Sequence, residues 1–189
     1  MALPDGSAGV SWILTYTGKR FDLVDPRPSD VNIIDIAHAL ANSGRFTGHT
    51  RSFYSIAQHS VLGSYLVPIQ LARAFLLHDA REAYVGDVSS PLKQLLPEYH
   101  AIEERVATVV DAAFEIPATV AHAPEIKHAD LVMLATERRD LMPSDPAPWP
   151  CLAGIEPMAK PIRPWTPSRA KAAFLQRYIE LTDLARRAA

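Results

Sequence analysis

Residues 78–93 read HDAREAYVGDVSSPLK and directly follow the apolar run LARAFLL. His78 and Asp79 place an imidazole beside a carboxylate at the end of that run, where burial is costly unless these groups are paired or bind a metal. Imidazole is a ligand for zinc, iron, cobalt and nickel, whereas carboxylate also suits manganese and magnesium. His59 and Asp130 lie in two other apolar stretches. If the four side chains converge, the sequence predicts a metal site of the kind that commonly serves hydrolysis.

Helical periodicity continues on both sides of this stretch, because apolar residues recur three and four positions apart. Asp30 or Asn32 is a candidate cap for the first helix, and Ser168 is one for the last. A Thr-Gly-Lys turn between two β-prone runs predicts a small hairpin within residues 11–24. Eight prolines within residues 143–167 exclude regular helix and predict a long ordered excursion over the surface. Helices are predicted over residues 33–41, 55–66, 69–84, 98–114, 125–141 and 168–187.

Size and composition are those of an ordinary globular chain. The 189 residues are enough for one domain, 1–189, with a sizeable core, and 48% of them are hydrophobic. A net charge of −2 offers no global attraction for nucleic acid or an anionic membrane. Residues 1–10 are expected to be frayed and lack the pattern of a signal peptide. Cys151 is the one cysteine and no apolar run approaches the length of a membrane span, so we expect a cytoplasmic protein.

The order His59, His78-Asp79, Asp130 resembles the H…HD…D signature of the HD-domain metal-dependent phosphohydrolases. HDAREAYVGDVSSPLK resembles the HDxxExxxxDxxxPxK stretch of the small nucleotide-cleaving members. These are 5′-deoxyribonucleotidases and phage-type deoxynucleoside triphosphate triphosphohydrolases. KHADLVMLATERRDL resembles their KxAD…E stretch, and TYTGKRFDLVDP and DIAHALANSGRFTGHTRSFYSIAQHSV resemble phage and prophage members. The resemblance covers residues 11–141 and implies an all-α HD-domain helical bundle with the small N-terminal β-hairpin.

The same resemblance implies a role for each residue of the motifs. One divalent transition metal (manganese, cobalt, nickel, iron or zinc) would be held by His59, His78, Asp79 and Asp130, and a second ion, magnesium, could accompany a polyphosphate substrate. Glu82 would be the catalytic acid or base. The substrate would be bound at its phosphates by Arg45, Lys93 and Lys127, at the sugar 3′-hydroxyl by Asp87, and at the base or sugar by Phe46.

Residue type alone leaves an ordinary structural interpretation open for each of these positions. The histidines could be core residues hydrogen-bonded to carboxylates, and the cations and Glu82 could be solvated surface groups. Asp87 follows Gly86, where aspartate is common in turns. Phe46 could equally be a packing residue.

The implied activity is metal-dependent hydrolysis of deoxynucleotides, in which a metal-activated water attacks the α-phosphorus and releases nucleoside plus phosphate or triphosphate. Three alternatives remain open: a 5′-deoxynucleotidase acting on monophosphates, an HD phosphoesterase acting on cyclic nucleotides or alarmones, and a non-enzymatic nucleotide-binding regulator. The expected partners are a small-molecule nucleotide and further copies of the chain in a dimer or hexamer, with neither nucleic acid nor membrane.

Overall fold

The computed structural model describes residues 10–188, and most of them are helical. The expectation of a frayed N-terminus therefore lies, apart from Val10, outside the described residues. The strands are β1 Trp12–Leu14 and β2 Arg20–Asp22. The helices are α1 Ile33–Asn42, α2 Ile56–Gly63, α3 Ile69–Leu77, α4 Glu82–Val85, α5 Ser90–Lys93, α6 Pro97–Ala113, α7 Ala118–Ala121, α8 Pro124–Leu141 and α9 Pro167–Ala188. The prediction of a mostly helical chain with a small N-terminal hairpin is confirmed.

The hairpin is antiparallel, with Ile13 opposite Phe21 in its register. Gly18 closes the turn with φ of +81°, a backbone conformation that glycine adopts without steric cost. The side chain of Phe21 is fully buried and stacks on Tyr84 of α4, with ring centroids 3.9 Å apart. The carboxylate of Asp35 accepts hydrogen bonds from the backbone and hydroxyl of Thr17. The hairpin is therefore fastened to α1.

Local capping explains where several helices begin. The side chain of Asn32 accepts the N–H of Ile34 at 2.9 Å, which settles the choice between the two candidate caps of α1. Ser55 caps α2 in the same way. The prediction of Ser168 as the last cap was wrong, because α9 begins one residue earlier and the N–H of Arg169 donates to the hydroxyl of Thr166.

The core lies where α9 crosses α1, α2 and α3, and it buries Phe174 and Leu181. α8 packs against α2 and α3, and its Met133 is fully buried. α2 and α3 approach closely at Gly63, where a Cβ atom would lie 2.1 Å from Cε1 of Phe75. Glycine is therefore required at this contact, and the contact positions the end of α3.

The helix predicted over residues 69–84 is interrupted at the His78-Asp79 motif. α3 ends at Leu77, and α4 begins at Glu82 after four turn residues. Within the turn, backbone bonds span three residues instead of four, as in the N–H of Glu82 donating to the carbonyl of Asp79 at 3.0 Å. The guanidinium of Arg81 donates to the carbonyl of His78, which a continuous helix would use internally. The prediction of one helix through this region was wrong because the turn is tightened by these local bonds.

The proline-rich segment, residues 143–167, is irregular up to Pro167, where α9 begins, except for one short 3₁₀ turn, Pro150–Leu152, as its composition predicts. It is fastened to the helices by polar contacts. The side chain of Gln58 donates to the carbonyl of Arg163 and accepts the N–H of Trp165, both at 2.8 Å. Such anchoring makes the segment part of the folded structure.

Between residues 10 and 188, no single helix has the length and apolar composition to cross a membrane. One bent pair, Pro97–Ala113 with Ala118–Leu141 at 115°, satisfies those two criteria when taken together.

Candidate metal centre

Three of the four predicted ligands form a buried cluster. His59 comes from the middle of α2, and His78 and Asp79 come from the turn that follows α3. One ligand atom of each residue lies within 4.8 Å of the other two. Oδ2 of Asp79 is 3.2 Å from Nε2 of His78 and 3.7 Å from Nε2 of His59. A group with two imidazoles and a carboxylate at these separations could hold a metal ion.

The hydrogen bonds of the two histidines determine which ring nitrogen is available. Nδ1 of His78 lies 2.6 Å from the carbonyl oxygen of Phe75, and because a carbonyl only accepts, this nitrogen carries the proton. Nδ1 of His59 lies 2.6 Å from Oε1 of Glu137 and donates to that carboxylate. Both Nε2 atoms are buried and have no hydrogen-bond partner among residues 10–188. Two unprotonated Nε2 atoms beside Asp79 fit a metal ion, which would satisfy both of them.

Asp130, the fourth predicted ligand, lies at the edge of this cluster. Its Oδ1 atom is 3.5 Å from Nε2 of His59, and its Oδ2 atom accepts a hydrogen bond from Nζ of Lys127 at 3.0 Å. Burial would raise the pKa of Asp130, but its electrostatic interactions with His59 and His78 outweigh it, so the pKa is lowered. The carboxylate is therefore ionised near neutral pH and lies within reach of the cluster.

A buried ion-pair network surrounds the cluster. Nε of Arg45 donates to Oε2 of Glu137 at 3.1 Å, and its Nη1 atom lies 3.4 Å from Oδ2 of Asp79. Burial opposes ionisation of Glu137, but Arg45 and His59 more than offset it and lower the pKa. Asp79 is likewise held ionised, since its electrostatic interactions with His78 and His59 outweigh the effect of burial and lower its pKa. Arg45 thus joins a metal-facing carboxylate to the carboxylate that orients His59.

Glu82 occupies a different electrostatic environment. Its side chain is buried, and its Oε2 atom has no hydrogen-bond partner among the described residues. Burial, with a further contribution from Asp79, raises its pKa well above the ordinary value for glutamate. Burial also raises the pKa of Asp87. A carboxyl of this kind retains a proton at a pH where Asp79 has lost its own.

Lys93, predicted to bind phosphate, is engaged in an ion pair with buried Glu103 of α6. Its Nζ atom is also 3.8 Å from Oε1 of Glu82. Nε of Arg81 lies 3.1 Å from the same Glu103 carboxylate. Glu103 therefore holds two cations at the border of the cluster.

Two cavities adjoin the cluster. The first, of about 540 Å³, is called the Phe46 cavity, and it is lined by every residue predicted to act on substrate: Arg45, Phe46, Glu82, Asp87, Lys93 and Lys127. Trp149 of the proline-rich segment also lines it, with its ring centroid 6.4 Å from that of Phe46. Phe46 itself has φ of +55°, a conformation that is strained for a residue other than glycine. The structure therefore gathers the predicted substrate residues into one space beside the cluster.

The second cavity, of about 380 Å³, lies between the cluster and α6 and is called the Asp111 cavity. Asp79, Arg81, Lys127 and Asp130 line both cavities. The cluster therefore stands between two recesses.

Sequence reasoning assigned no role to Glu137, Glu103, Arg81 or Trp149. Glu137 follows Asp130 by seven residues, which places both on one face of α8, so the helical period could have identified it. Glu103 shares the apolar stripe of α6 with Val106 and Val110, where a carboxylate is unexpected. Arg81 and Trp149 gave no such signal, because their positions depend on the turn and on the path of an irregular segment.

No family model matches the chain. The chain is similar to YfdR, an uncharacterized protein of Escherichia coli, with 43% identity over 176 residues that cover 93% of this chain and 98% of YfdR. It is also similar to an uncharacterized protein of Rhodobacter capsulatus, with 34% identity over 189 residues that cover 89% of this chain and 94% of that protein.

Proposed function

We propose that this chain, which belongs to the same protein family as YfdR, is a metal-dependent phosphohydrolase of the HD-domain type that acts on deoxynucleotides. One observation carries the proposal: two buried Nε2 atoms, of His59 and His78, have no hydrogen-bond partner among residues 10–188 and face the ionised carboxylate of Asp79. Leaving such atoms unsatisfied in a core is costly. A divalent ion at this position would satisfy them, and Asp130 would join as the fourth ligand.

An ion bound there would lower the pKa of a coordinated water and so make hydroxide available near neutral pH. The protein's own groups would prepare the site for it. Glu137 holds the His59 ring in the tautomer that leaves Nε2 free, and the carbonyl of Phe75 does the same for His78. Mixed nitrogen and oxygen ligation leaves coordination positions for water and phosphate, unlike the closed cysteine-rich sites of structural zinc.

Phosphate recognition would come from the cations of the Phe46 cavity. Arg45 is partly buried and fixed by two carboxylates, which suits a guanidinium that must meet phosphate oxygens in a defined orientation. Lys93 and Lys127 would contribute point charges that stabilise negative charge developing on the phosphoryl group. Asp87 and Phe46 line the same cavity, as contacts to the sugar and base would require.

Glu82 would supply the proton for the leaving group. Because its pKa is raised, the carboxyl is protonated over a wider pH range than the neighbouring Asp79. Oε2 of Glu82 is free of protein partners among residues 10–188 and can donate to a leaving oxygen.

The test is a screen of metal-stripped protein with mono- and triphosphates of all common ribo- and deoxyribonucleosides, each with Mn²⁺, Co²⁺, Mg²⁺ or Zn²⁺. Nucleoside plus triphosphate would identify a triphosphohydrolase, and nucleoside plus orthophosphate from monophosphates alone would identify a 5′-nucleotidase. Asp79→Asn should reduce turnover by roughly a thousandfold or more, as expected when a metal ligand is lost. Asp183→Asn, at an exposed position of α9, is the matched control.

The absence of metal-dependent hydrolysis of every nucleotide would overturn the proposal. If nucleotide binding persisted in that case and survived Asp79→Asn, the chain would be a binding protein and not an enzyme.

A further inference from the structure

Trp149 is the aromatic side chain that the proline-rich segment contributes to the Phe46 cavity. It is partly exposed, and its ring centroid lies 6.4 Å from that of Phe46, with the two rings inclined by 49°. Phe46 and Thr47 have φ of +55° and +54°, conformations that are costly for residues other than glycine. Phe46 and Trp149 thus form an aromatic wall of the cavity, and each is supplied by an irregular segment.

Contacts with α8 hold the proline-rich segment on both sides of Trp149. Before it, the guanidinium of Arg138 donates to two carbonyl oxygens within residues 145–147. After it, the hydroxyl of Thr136 accepts the N–H of Met158 at 2.9 Å. Cζ of Arg138 also lies over the Trp149 ring, 5.0 Å from its centroid, as in a cation–π contact. The indole is therefore fixed in position although its segment has no regular structure.

The helix α8 relates Trp149 to the metal cluster. Asp130, Leu134 and Arg138 follow one another at intervals of four residues, so their side chains share one face of the helix. Asp130 and Leu134 line the Phe46 cavity, and Arg138 contacts the ring of Trp149. The two ends of this row are separated by about 12 Å along the helix axis. Trp149 therefore lies towards the end of the cavity away from the proposed metal ligands.

The chemistry of this end suits a flat, uncharged group. The face of an aromatic ring carries partial negative charge, so a phosphate chain gains nothing from contact with it. A nucleobase stacks on such a face whatever its identity. In a nucleotide whose reacting phosphate lies beside Asp79 and Asp130, the base is the part furthest from the cluster.

We propose that Trp149 is a specificity-determining residue that contacts the base of the nucleotide, and that Arg138 is a positioning residue that acts through the Trp149 ring. The inference rests on the proposed function for the identity of the ligand, a deoxynucleotide in the Phe46 cavity. It deepens that function, since it makes the base a required part of the ligand. A sugar phosphate without a base should bind weakly.

The first test compares two ligands that share sugar and phosphate, 2′-deoxyadenosine 5′-monophosphate and 2-deoxyribose 5-phosphate, by calorimetry on metal-free protein. Wild type should bind the nucleotide more tightly by about 5–100-fold, as a base stacked on an aromatic side chain provides. Trp149→Ala should remove most of this difference, and Trp149→Phe should retain affinity within about threefold of wild type. Neither change should alter the affinity for 2-deoxyribose 5-phosphate by more than about twofold.

A spectroscopic test leaves Trp149 unaltered. The chain has three tryptophans, so Trp12→Phe combined with Trp165→Phe leaves Trp149 as the only one. The nucleotide should quench the fluorescence of this variant with saturation, and 2-deoxyribose 5-phosphate should not. This measurement does not depend on whether Trp149→Ala folds.

Arg138→Met tests the positioning role. It should weaken nucleotide binding by about twofold to fivefold, as expected for loss of a cation–π contact, but should have almost no effect when Trp149 is already alanine. Arg169→Met is the matched control, because Cζ of Arg169 lies 4.8 Å from the ring centroid of Trp165 and neither residue lines the Phe46 cavity. It should change neither affinity. Thermal unfolding shows whether each variant is folded.

The outcomes separate this inference from the proposed function. Nucleotide affinity within twofold of wild type in folded Trp149→Ala protein would overturn the base contact, as would an equal loss for both ligands, and metal-dependent hydrolysis could still be present. Nucleotide binding that depends on Trp149 but is followed by no hydrolysis with any metal would instead remove the phosphohydrolase and leave the base contact. Absence of both binding and hydrolysis would defeat both.

Discussion

Replacement of Glu137 by glutamine is the most informative single change, because this carboxylate connects the metal ligands to the buried charges. Its Oε1 atom holds His59 at 2.6 Å, and its Oε2 atom pairs with Nε of Arg45 at 3.1 Å. Glutamine keeps the shape but removes the charge. Loss of a group that orients a metal-binding histidine typically weakens metal affinity by about 10–100-fold. Arg45 retains its contact with Asp79, so we expect a smaller destabilisation than for an isolated buried charge, about 1–3 kcal/mol.

Two measurements test this reasoning. Isothermal titration of Mn²⁺ or Co²⁺ into metal-free protein should show the weakened affinity. Thermal unfolding in chelator should show a midpoint lower by roughly 2–12 °C, since 1 kcal/mol corresponds to about 2–4 °C in a chain of this length. Glu125→Gln, an exposed position on the same helix, should change neither quantity. Metal affinity within twofold of wild type in a folded Glu137→Gln protein would refute the view that this carboxylate prepares His59.

Three further changes have defined outcomes. Glu82→Gln removes a carboxyl whose pKa is raised by burial. Because this pKa is raised, the wild-type fold loses stability as the pH rises above 4.5, the ordinary pKa of glutamate. In chelator the variant should therefore unfold about 2–4 °C above wild type at pH 8 and at the same temperature as wild type at pH 4. Gly63→Ala places a Cβ against Phe75 and should lower the free energy of unfolding by about 1–3 kcal/mol in urea titrations, with weaker metal binding because Phe75 holds His78. Lys127→Met removes the cation that pairs with Asp130, so it should tighten metal binding by about twofold to fivefold while raising KM for nucleotide. Weaker metal binding in this variant would contradict the view that Lys127 competes with the metal for Asp130.

The helix boundaries were largely predictable because caps and prolines act locally. Asn32 and Ser55 precede apolar repeats, and their side chains cap the helices they were expected to begin. The turn after α3 was not predictable from periodicity. Leu77, Ala80 and Tyr84 continue the helical spacing of apolar residues through it, and all three are buried. The break depends on side-chain bonds to backbone carbonyls, which periodicity does not register.

Three residues of the candidate metal centre were predictable from the sequence, but their organisation was not. His59 and His78 were singled out as imidazoles in apolar stretches, and the structure places them in one cluster with Asp79. Their convergence depends on the distance between α2 and α3, and the close approach of Gly63 to the ring of Phe75 leaves no room for a Cβ atom between them. A glycine in an apolar helix gives no indication of its partner. The division of the surrounding space into two cavities follows from the packing of α6 against the turn, which sequence periodicity likewise leaves undetermined.

The charges around the cluster explain why Lys127 forms an ion pair with Asp130, one of the predicted ligands. Asp79, Asp130 and Glu137 are all held ionised by lowered pKa values, and Arg45, which is partly buried, contacts two of them. One positive charge against three negative charges leaves an excess of negative charge. Lys127, which is largely exposed on α8, partly offsets this excess by its ion pair with Asp130. A divalent ion held by the proposed ligands His59, His78, Asp79 and Asp130 would supply the positive charge that balances the remainder.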